Sequence, residues 1–234
     1  ASIGHLAIPR LLGVETYEGW IWLHVLLGMG ALAALGFLSS RLTGIPRGAA
    51  WLFLVSTTAL ATALVTIGKY DYLTLLGAAS IILVRTRMGV AVGALVMAVG
   101  NPEQAIVAGV ALLVLSGAQE FRSLRWRAAV TLGVATSAWI LIQIWMLSSG
   151  IWGSRLSLLS IWLQDSLDRF LRNPSSELWS WFGAAWIVVI AVLITVKGRS
   201  RVFVLLGLVA VPGMVTLVTA DGARVFGLVF LPAL

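Results

Sequence analysis

The sequence predicts an all-α, polytopic transmembrane helical bundle, and three observations carry that expectation. Of the 234 residues, 60% are hydrophobic and only 11% charged, whereas roughly a quarter are charged in an ordinary soluble domain. The apolar residues come in long runs without period-two alternation, which argues against a β-barrel. The charges stand between those runs in a sided pattern, as loops do around membrane-crossing helices. Helices suit that solvent because they satisfy their backbone groups internally.

Eight apolar segments mark the helices, at about 19–39, 49–67, 72–84, 88–99, 104–118, 128–149, 178–196 and 202–219. The three segments 72–84, 88–99 and 104–118 are short. At 1.5 Å per residue each reaches roughly 20 Å, while a hydrocarbon core of about 30 Å takes about 20 residues. They need flanks buried in protein or a thinned, water-accessible part of the molecule. Three crossings fit the alternation of charge; a re-entrant hairpin made by two of them is the alternative.

Sidedness comes from assigning Lys and Arg to alternate loops. One side collects Arg41, Arg47, Arg85, Arg87, Arg122, Arg125, Arg127, Lys197, Arg199 and Arg201, with Glu120 its lone acid. By the positive-inside rule that side is cytoplasmic. The other holds Arg10, Lys69, Arg155, Arg169, Arg172 and Arg224 with the remaining acids, Glu15, Glu18, Asp71, Glu103, Asp165, Asp168, Glu177 and Asp221. The expected location is a bacterial cytoplasmic membrane, multi-pass, with basic loops inside. A net charge of +7 on a soluble protein would point to nucleic acid, but here it follows topology, so no nucleic-acid partner is expected. With no cysteine, disulfides, thiolate metal sites and thiol nucleophiles are excluded.

The outer loop at 150–177 is expected to hold a helix. Leu156, Leu159, Leu163, Leu167 and Phe170 recur at helical spacing, while Asp165/Arg169 and Asp168/Arg172 stand four apart on the polar side. Such a helix lies in the bilayer interface, with Trp152 and Trp162 near the headgroups. It reads either as an anchor filling a long connection or as a lid over an outward-facing lipid site. Trp20, Trp22, Trp51, Trp126, Trp179 and Trp181 also fall near segment ends, as interfacial belts do. The chain reads as a single membrane domain over 1–234, and both ends look cut, so a portion of a longer protein is expected.

Soluble catalytic signatures are missing: there is no P-loop, no GxSxG elbow and no HExxH pair. His5 and His24 are too few for a histidine metal cluster, and His24, inside an apolar segment, reads as a hydrogen-bonded packing residue. No metal site is expected from ligand spacing. Three polar motifs stand on the outer side: Lys69-Tyr70-Asp71-Tyr72, Asn101-Pro102-Glu103-Gln104 and Asp221-Gly222-Ala223-Arg224. If the short helices leave a depression there, an acid in it binds a divalent metal or acts as a base, and Arg224 or Lys69 holds phosphate. The competing reading makes Asp71 and Asp221 helix caps and Asn-Pro-Glu a helix start.

The order of these features resembles the GT-C superfamily of integral-membrane glycosyltransferases, which use polyprenyl-phosphate-linked sugars. The resemblance rests on Ile8-Pro9-Arg10-Leu11-Leu12-Gly13, a helix ending Ser39-Ser40-Arg41-Leu42-Thr43-Gly44, then Lys69-Tyr70-Asp71 opening a short helix. A basic Arg85-Thr86-Arg87 turn follows, then a second short helix ending Asn101-Pro102-Glu103-Gln104-Ala105, and later Arg224-Val225-Phe226 with Leu231-Pro232. The family implies a lipid-linked donor, an outward-facing cavity and an acid in a first outer loop after a first membrane helix, neither of which this chain contains. Asn101 stands where the pattern often has Lys or His. On this resemblance the catalytic candidates are Asp71 and Asp221, and the substrate-binding candidates are Lys69, Arg224, Arg10 and Glu103. The chain is then a GT-C-like glycosyltransferase or an inactive relative, with a polyprenyl-phosphate-linked sugar or other lipid as partner. The alternative is a non-catalytic integral-membrane subunit that packs against other membrane proteins. A transporter ranks last, since no ionisable residue beyond His24 falls near a segment's middle.

Overall fold

A computed structural model describes residues 12–14, 16–43, 71–150, 159–182 and 186–217. Every regular element among them is a helix, so the fold is all-α over the described residues. The expected segment at 49–67 lies outside them.

Local chemistry explains most of the helix limits. Helix α1, Tyr17–Thr43, starts at Thr16, whose Oγ1 accepts the Gly19 N–H at 3.1 Å. A threonine in that place satisfies one of the donors that a helix start leaves without a partner. Helices α2, Asp71–Leu83, and α3, Arg87–Gly100, are separated by a short basic turn in which Thr86 caps α3 by accepting from Gly89 N at 3.1 Å. Asn101 and Pro102 open α4, Pro102–Leu115. A 3-10 stretch, Gln119–Leu124, leads into α5, Arg125–Ser148. Gly150, at φ +69°, follows α5 in the left-handed region that glycine enters without steric penalty.

The later helices are shorter: α6 Leu159–Arg172, α7 Pro174–Phe182 and α8 Trp186–Thr195. The expected single segment 178–196 therefore falls on two helices, and residues 183–185 between them lie outside the described residues. The Trp186 indole N–H donates to the Leu178 carbonyl at 2.8 Å and ties the two together. Helix α9 runs Ser200–Leu205, widens to π geometry over Leu206–Ala210 and continues as Val211–Leu217. Pro212 lacks an N–H, and its ring collides with the carbonyl four residues back in a regular helix. The wider turn takes up that conflict, and the Val211 N–H donates to Leu206 O, five residues back.

Packing follows small residues. Helices α2 and α3 cross so closely that a Cβ on Gly77 would sit 2.5 Å from Gly93 O and 2.6 Å from Met97 N. One on Gly93 would lie 2.7 Å from Ser80 Cβ. Helices α3 and α4 both pack on α5, and α4 also packs on α9. The first core is rich in alanine: Ala78, Ala94, Ala98, Ala105, Ala108, Ala128 and Ala135 are buried around Ile81, Met97 and Leu112. A second core gathers Leu115, Val189, Val204 and Leu208, and Leu124 of the 3-10 stretch packs against both. Backbones that approach through Gly and Ala are the mode by which helices pack in lipid.

Helix α5 with its 3-10 lead-in, Gln119–Ser148, is the one helix among the described residues long and apolar enough to cross a membrane. Only 11% of its most apolar stretch is buried, whereas the core helix of a soluble protein is mostly buried. Trp139, Leu141, Ile144 and Leu147 face outward on it. An exposed apolar face of that extent supports association with a membrane.

Helix α6 forms within the expected outer stretch and is amphipathic, as its spacing predicts. It packs on the C-terminal part of α9, with Leu163 and Phe170 half-buried and Ser166 buried between them, while Leu167 faces outward. The seam toward the bundle thus keeps Leu163 and Phe170 of the predicted row and leaves Leu167 outside it. Leu156 lies outside the described residues. The Asp168–Arg172 pair forms at 3.8 Å with both side chains largely exposed, a geometry that contributes little.

The crossing gives the first prediction. Gly77→Ala and Gly93→Ala each insert a methyl against backbone and should destabilise the protein by about 1–3 kcal/mol. Gly133, which has nothing within 4 Å of an added Cβ, should tolerate alanine or gain slightly from its better helix propensity. Thermal unfolding of the three variants in detergent checks the contrast, and equal melting temperatures for Gly93→Ala and the parent would refute the close approach.

Candidate functional site

The short antiparallel connections give the bundle two chemically different ends. At one end α2 finishes, α3 begins, α4 leads through the 3-10 stretch into α5, and α8 turns into α9. This end carries Arg85, Arg87, Arg122, Arg125, Arg127, Lys197, Arg199 and Arg201, with Glu120 the acid among them. Contacts far apart in sequence hold it together: Gln119 N donates to Ser200 Oγ at 3.2 Å, and a Cβ on Gly117 would meet the Phe203 ring.

Arg127 is the organising cation. Its Nη1 donates to the carbonyls of Ile81, Ile82 and Val84 at 2.5, 2.9 and 2.7 Å. Ile81 and Ile82 stand in the last turn of α2, whose carbonyls lack intrahelical donors, and Val84 just beyond it; a cation there also meets the negative end of the helix dipole. Its guanidinium carbon lies 4.9 Å from the centre of the Trp126 ring, within cation–π range. Arg201 does similar work at the end of α8, where its Nε donates to Val196 O at 3.2 Å.

The opposite end carries two of the predicted site residues. Asp71 opens α2 and Glu103 stands in the first turn of α4, so the fold brings these two candidates to the same end. The Asp71 side chain is outside what the structure describes, and Glu103 is exposed. The other candidates, Lys69, Arg10, Asp221 and Arg224, lie outside the described residues. Among the described residues no group of three or more His, Cys, Asp or Glu converges on a metal-sized site.

Between α3 and α4 the structure favours the helix-start reading of Asn-Pro-Glu. Asn101 closes α3 by donating its N–H to Met97 O at 2.8 Å. Its Oδ1 then caps α4 by accepting from Gln104 N at 3.1 Å. Pro102 sits at the first helical position, where its missing N–H is harmless, and Glu103 meets the positive end of the dipole. One residue therefore ends one helix and starts the next.

Gln104 was passed over as a site residue by sequence reasoning. It is 3% exposed, and its Oε1 has no hydrogen-bond partner. A buried acceptor left open is unfavourable by about 1–3 kcal/mol. The signal available in the sequence was its place beside Asn101 and Glu103, but nothing local says that position 104 faces inward. His24 behaves as expected for packing: it is buried, its Nδ1 lies 2.8 Å from Trp20 O, and its ring lies 4.2 Å from the Trp20 ring. Because a carbonyl only accepts, that contact fixes the proton on Nδ1.

Among the described residues the architecture is an α-helical bundle, and its one long, exposed apolar helix supports association with a membrane. No protein-family model, curated protein or solved structure matches the chain.

Two variants test these local assignments. Arg127→Ala should destabilise the protein by about 1.5–3 kcal/mol, the range for hydrogen bonds to a charged donor; Arg127→Lys should recover only part of it because an ammonium lacks the planar fork. Thermal melting checks both, and a silent Arg127→Ala would remove the clamp from the account. Asn101→Ala should lose about 1 kcal/mol through the missing cap, with Asn101→Asp close to the parent. If Asn101→Asp melts as low as the alanine variant, capping is not what Asn101 does.

Proposed function

We propose that the chain is a multi-pass membrane protein of the lipid-linked-sugar glycosyltransferase kind, with its basic end in the cytoplasm. A polyprenyl-phosphate-linked sugar is bound at the opposite end, where α2 and α4 begin. The observation that carries this reading is the block of short helices. α2, α3 and α4 have 13, 14 and 14 residues, about 20 Å each at 1.5 Å per residue. Val92, Leu95, Val110 and Leu113 are exposed on the block's outer faces, as side chains that meet lipid would be.

A hydrocarbon core of about 30 Å exceeds such helices by about 10 Å. Arginines at the basic end hold that end at the headgroups, so the shortfall appears at the other end as a depression. The N-terminus of α2 opens into it and favours an anion such as the donor's phosphate, whereas that of α4 is already capped by Asn101. In this reading Lys69, Arg224 and Arg10 supply cations for that phosphate, and Glu103 and Gln104 meet sugar hydroxyls. Asp71 or Asp221 takes the proton from an acceptor hydroxyl as its oxygen bonds to the anomeric carbon. The bond from that carbon to the phosphate oxygen breaks, and polyprenyl phosphate leaves with the electron pair.

A second reading, a non-catalytic subunit within a larger membrane complex, is favoured by one observation. Ala129, Gly133 and Ser137 are exposed at four-residue spacing on α5, which is the pattern by which membrane helices approach a partner.

Membranes containing the chain, supplied with a labelled sugar on a polyprenyl phosphate, separate the two. Asp71→Asn should lower kcat by about 10²–10⁴, the usual range for a lost general base, while Glu103→Gln should mainly raise KM. Turnover unchanged in both variants would reject the site. No transfer by the parent, together with a stoichiometric membrane partner on purification, would move the assignment to the subunit reading.

A further inference from the structure

Eight basic residues stand at one end of the bundle, and the structure divides them into two groups. Arg127 and Arg201 are committed to helix C-terminal carbonyls. The other six, Arg85, Arg87, Arg122, Arg125, Lys197 and Arg199, are exposed. The Asp168–Arg172 ion pair lies on α6 and involves none of these six. Among the described residues Glu120 is the acid that stands with these six cations at this end.

Beside them runs a collar of exposed apolar side chains. Met88 and Val92 follow Arg87 along α3, Ile194 precedes Lys197 on α8, and Val202 and Leu205 follow Arg201 on α9. Met88 is 75% exposed and Ile194 70%, values that a water-facing surface would not reward. Cations at a helix end with bare apolar side chains one turn inward match the cross-section of a lipid leaflet, phosphate outermost and acyl chain beneath.

We propose that this end is a docking surface for anionic phospholipid, the phosphodiester headgroups of one leaflet lying across Arg85, Arg87, Arg122, Arg125, Lys197 and Arg199. The inference rests on the membrane reading above and adds the chemistry of the lipid. A zwitterionic headgroup carries its own cation and leaves the six charges uncompensated; an anionic headgroup neutralises them. The two committed arginines build the end, and the six free ones recognise the lipid. Salt should weaken the preference because the charges are exposed.

The test uses the full chain, reconstituted in vesicles of phosphatidylcholine with or without phosphatidylglycerol and then carried in detergent to lipid titration by native mass spectrometry. Two double variants remove equal charge: Arg85→Gln with Arg87→Gln at the basic end, and Arg169→Gln with Arg172→Gln on α6. The parent should hold phosphatidylglycerol in preference to phosphatidylcholine. The first double variant should lose at least about tenfold of that preference, since a surface cation near an anionic leaflet contributes about fivefold; the second should change less than about twofold. Equal losses in the two variants, or no preference in the parent, would overturn the proposal while leaving membrane insertion intact. Release of the parent from both kinds of vesicle by alkaline extraction would instead defeat the membrane reading itself. Melting temperatures of both variants matching the parent show that the loss is of lipid and not of fold.

Discussion

Where Gly77 meets Gly93, no side chain separates two helices, and the rest of the bundle is arranged around that approach. A Cβ on either residue would collide with the facing backbone. The gain is direct backbone contact at the crossing, where dispersion between close-packed helices adds to the burial of Ile81, Val90 and Met97. Ala94, Ala98 and Ala108 continue the same principle toward α4 and α5. The larger apolar side chains are consequently free to face outward, which is where α3, α5, α8 and α9 carry them.

This inversion bears on the ends of the helices. A tightly crossed α2 ends close to α5, and its last carbonyls come within reach of Arg127. One cation then does for α2 what a glycine cap does elsewhere. The same logic at Val196 and Arg201 closes α8. Basic residues thus have two distinct roles within one end, closing helices and standing free, a distinction that charge counting does not make.

The opposite end is built from caps. Asn101 joins α3 to α4 with no loop, so the two helices are held in fixed register, and Asp71 and Glu103 are carried to one end by backbone geometry alone. The proposed donor site depends on this economy: short helices and a tight turn leave room where longer ones would fill the leaflet. Gln104, buried with an open acceptor, is the kind of inconsistency that functional sites retain.

Read alone, the sequence determined the helical class, most helix limits and the partition of charge. Apolar run length and Asn101-Pro102 before α4 are local signals, set by backbone groups a few residues away. The second segment and four of the six site candidates fall outside the described residues. Tertiary structure alone decided which glycines matter, Gly77 and Gly93 at a crossing and Gly133 in open space. It also decided that Ser166 and Phe170, not Leu167, turn inward on α6, that α9 widens ahead of Pro212, and that Arg127 is bound while Arg125 is free. Each depends on a partner brought near by the packing of another helix, as in the 46 residues between Arg127 and Ile81, and periodicity within one helix carries no information about what faces it.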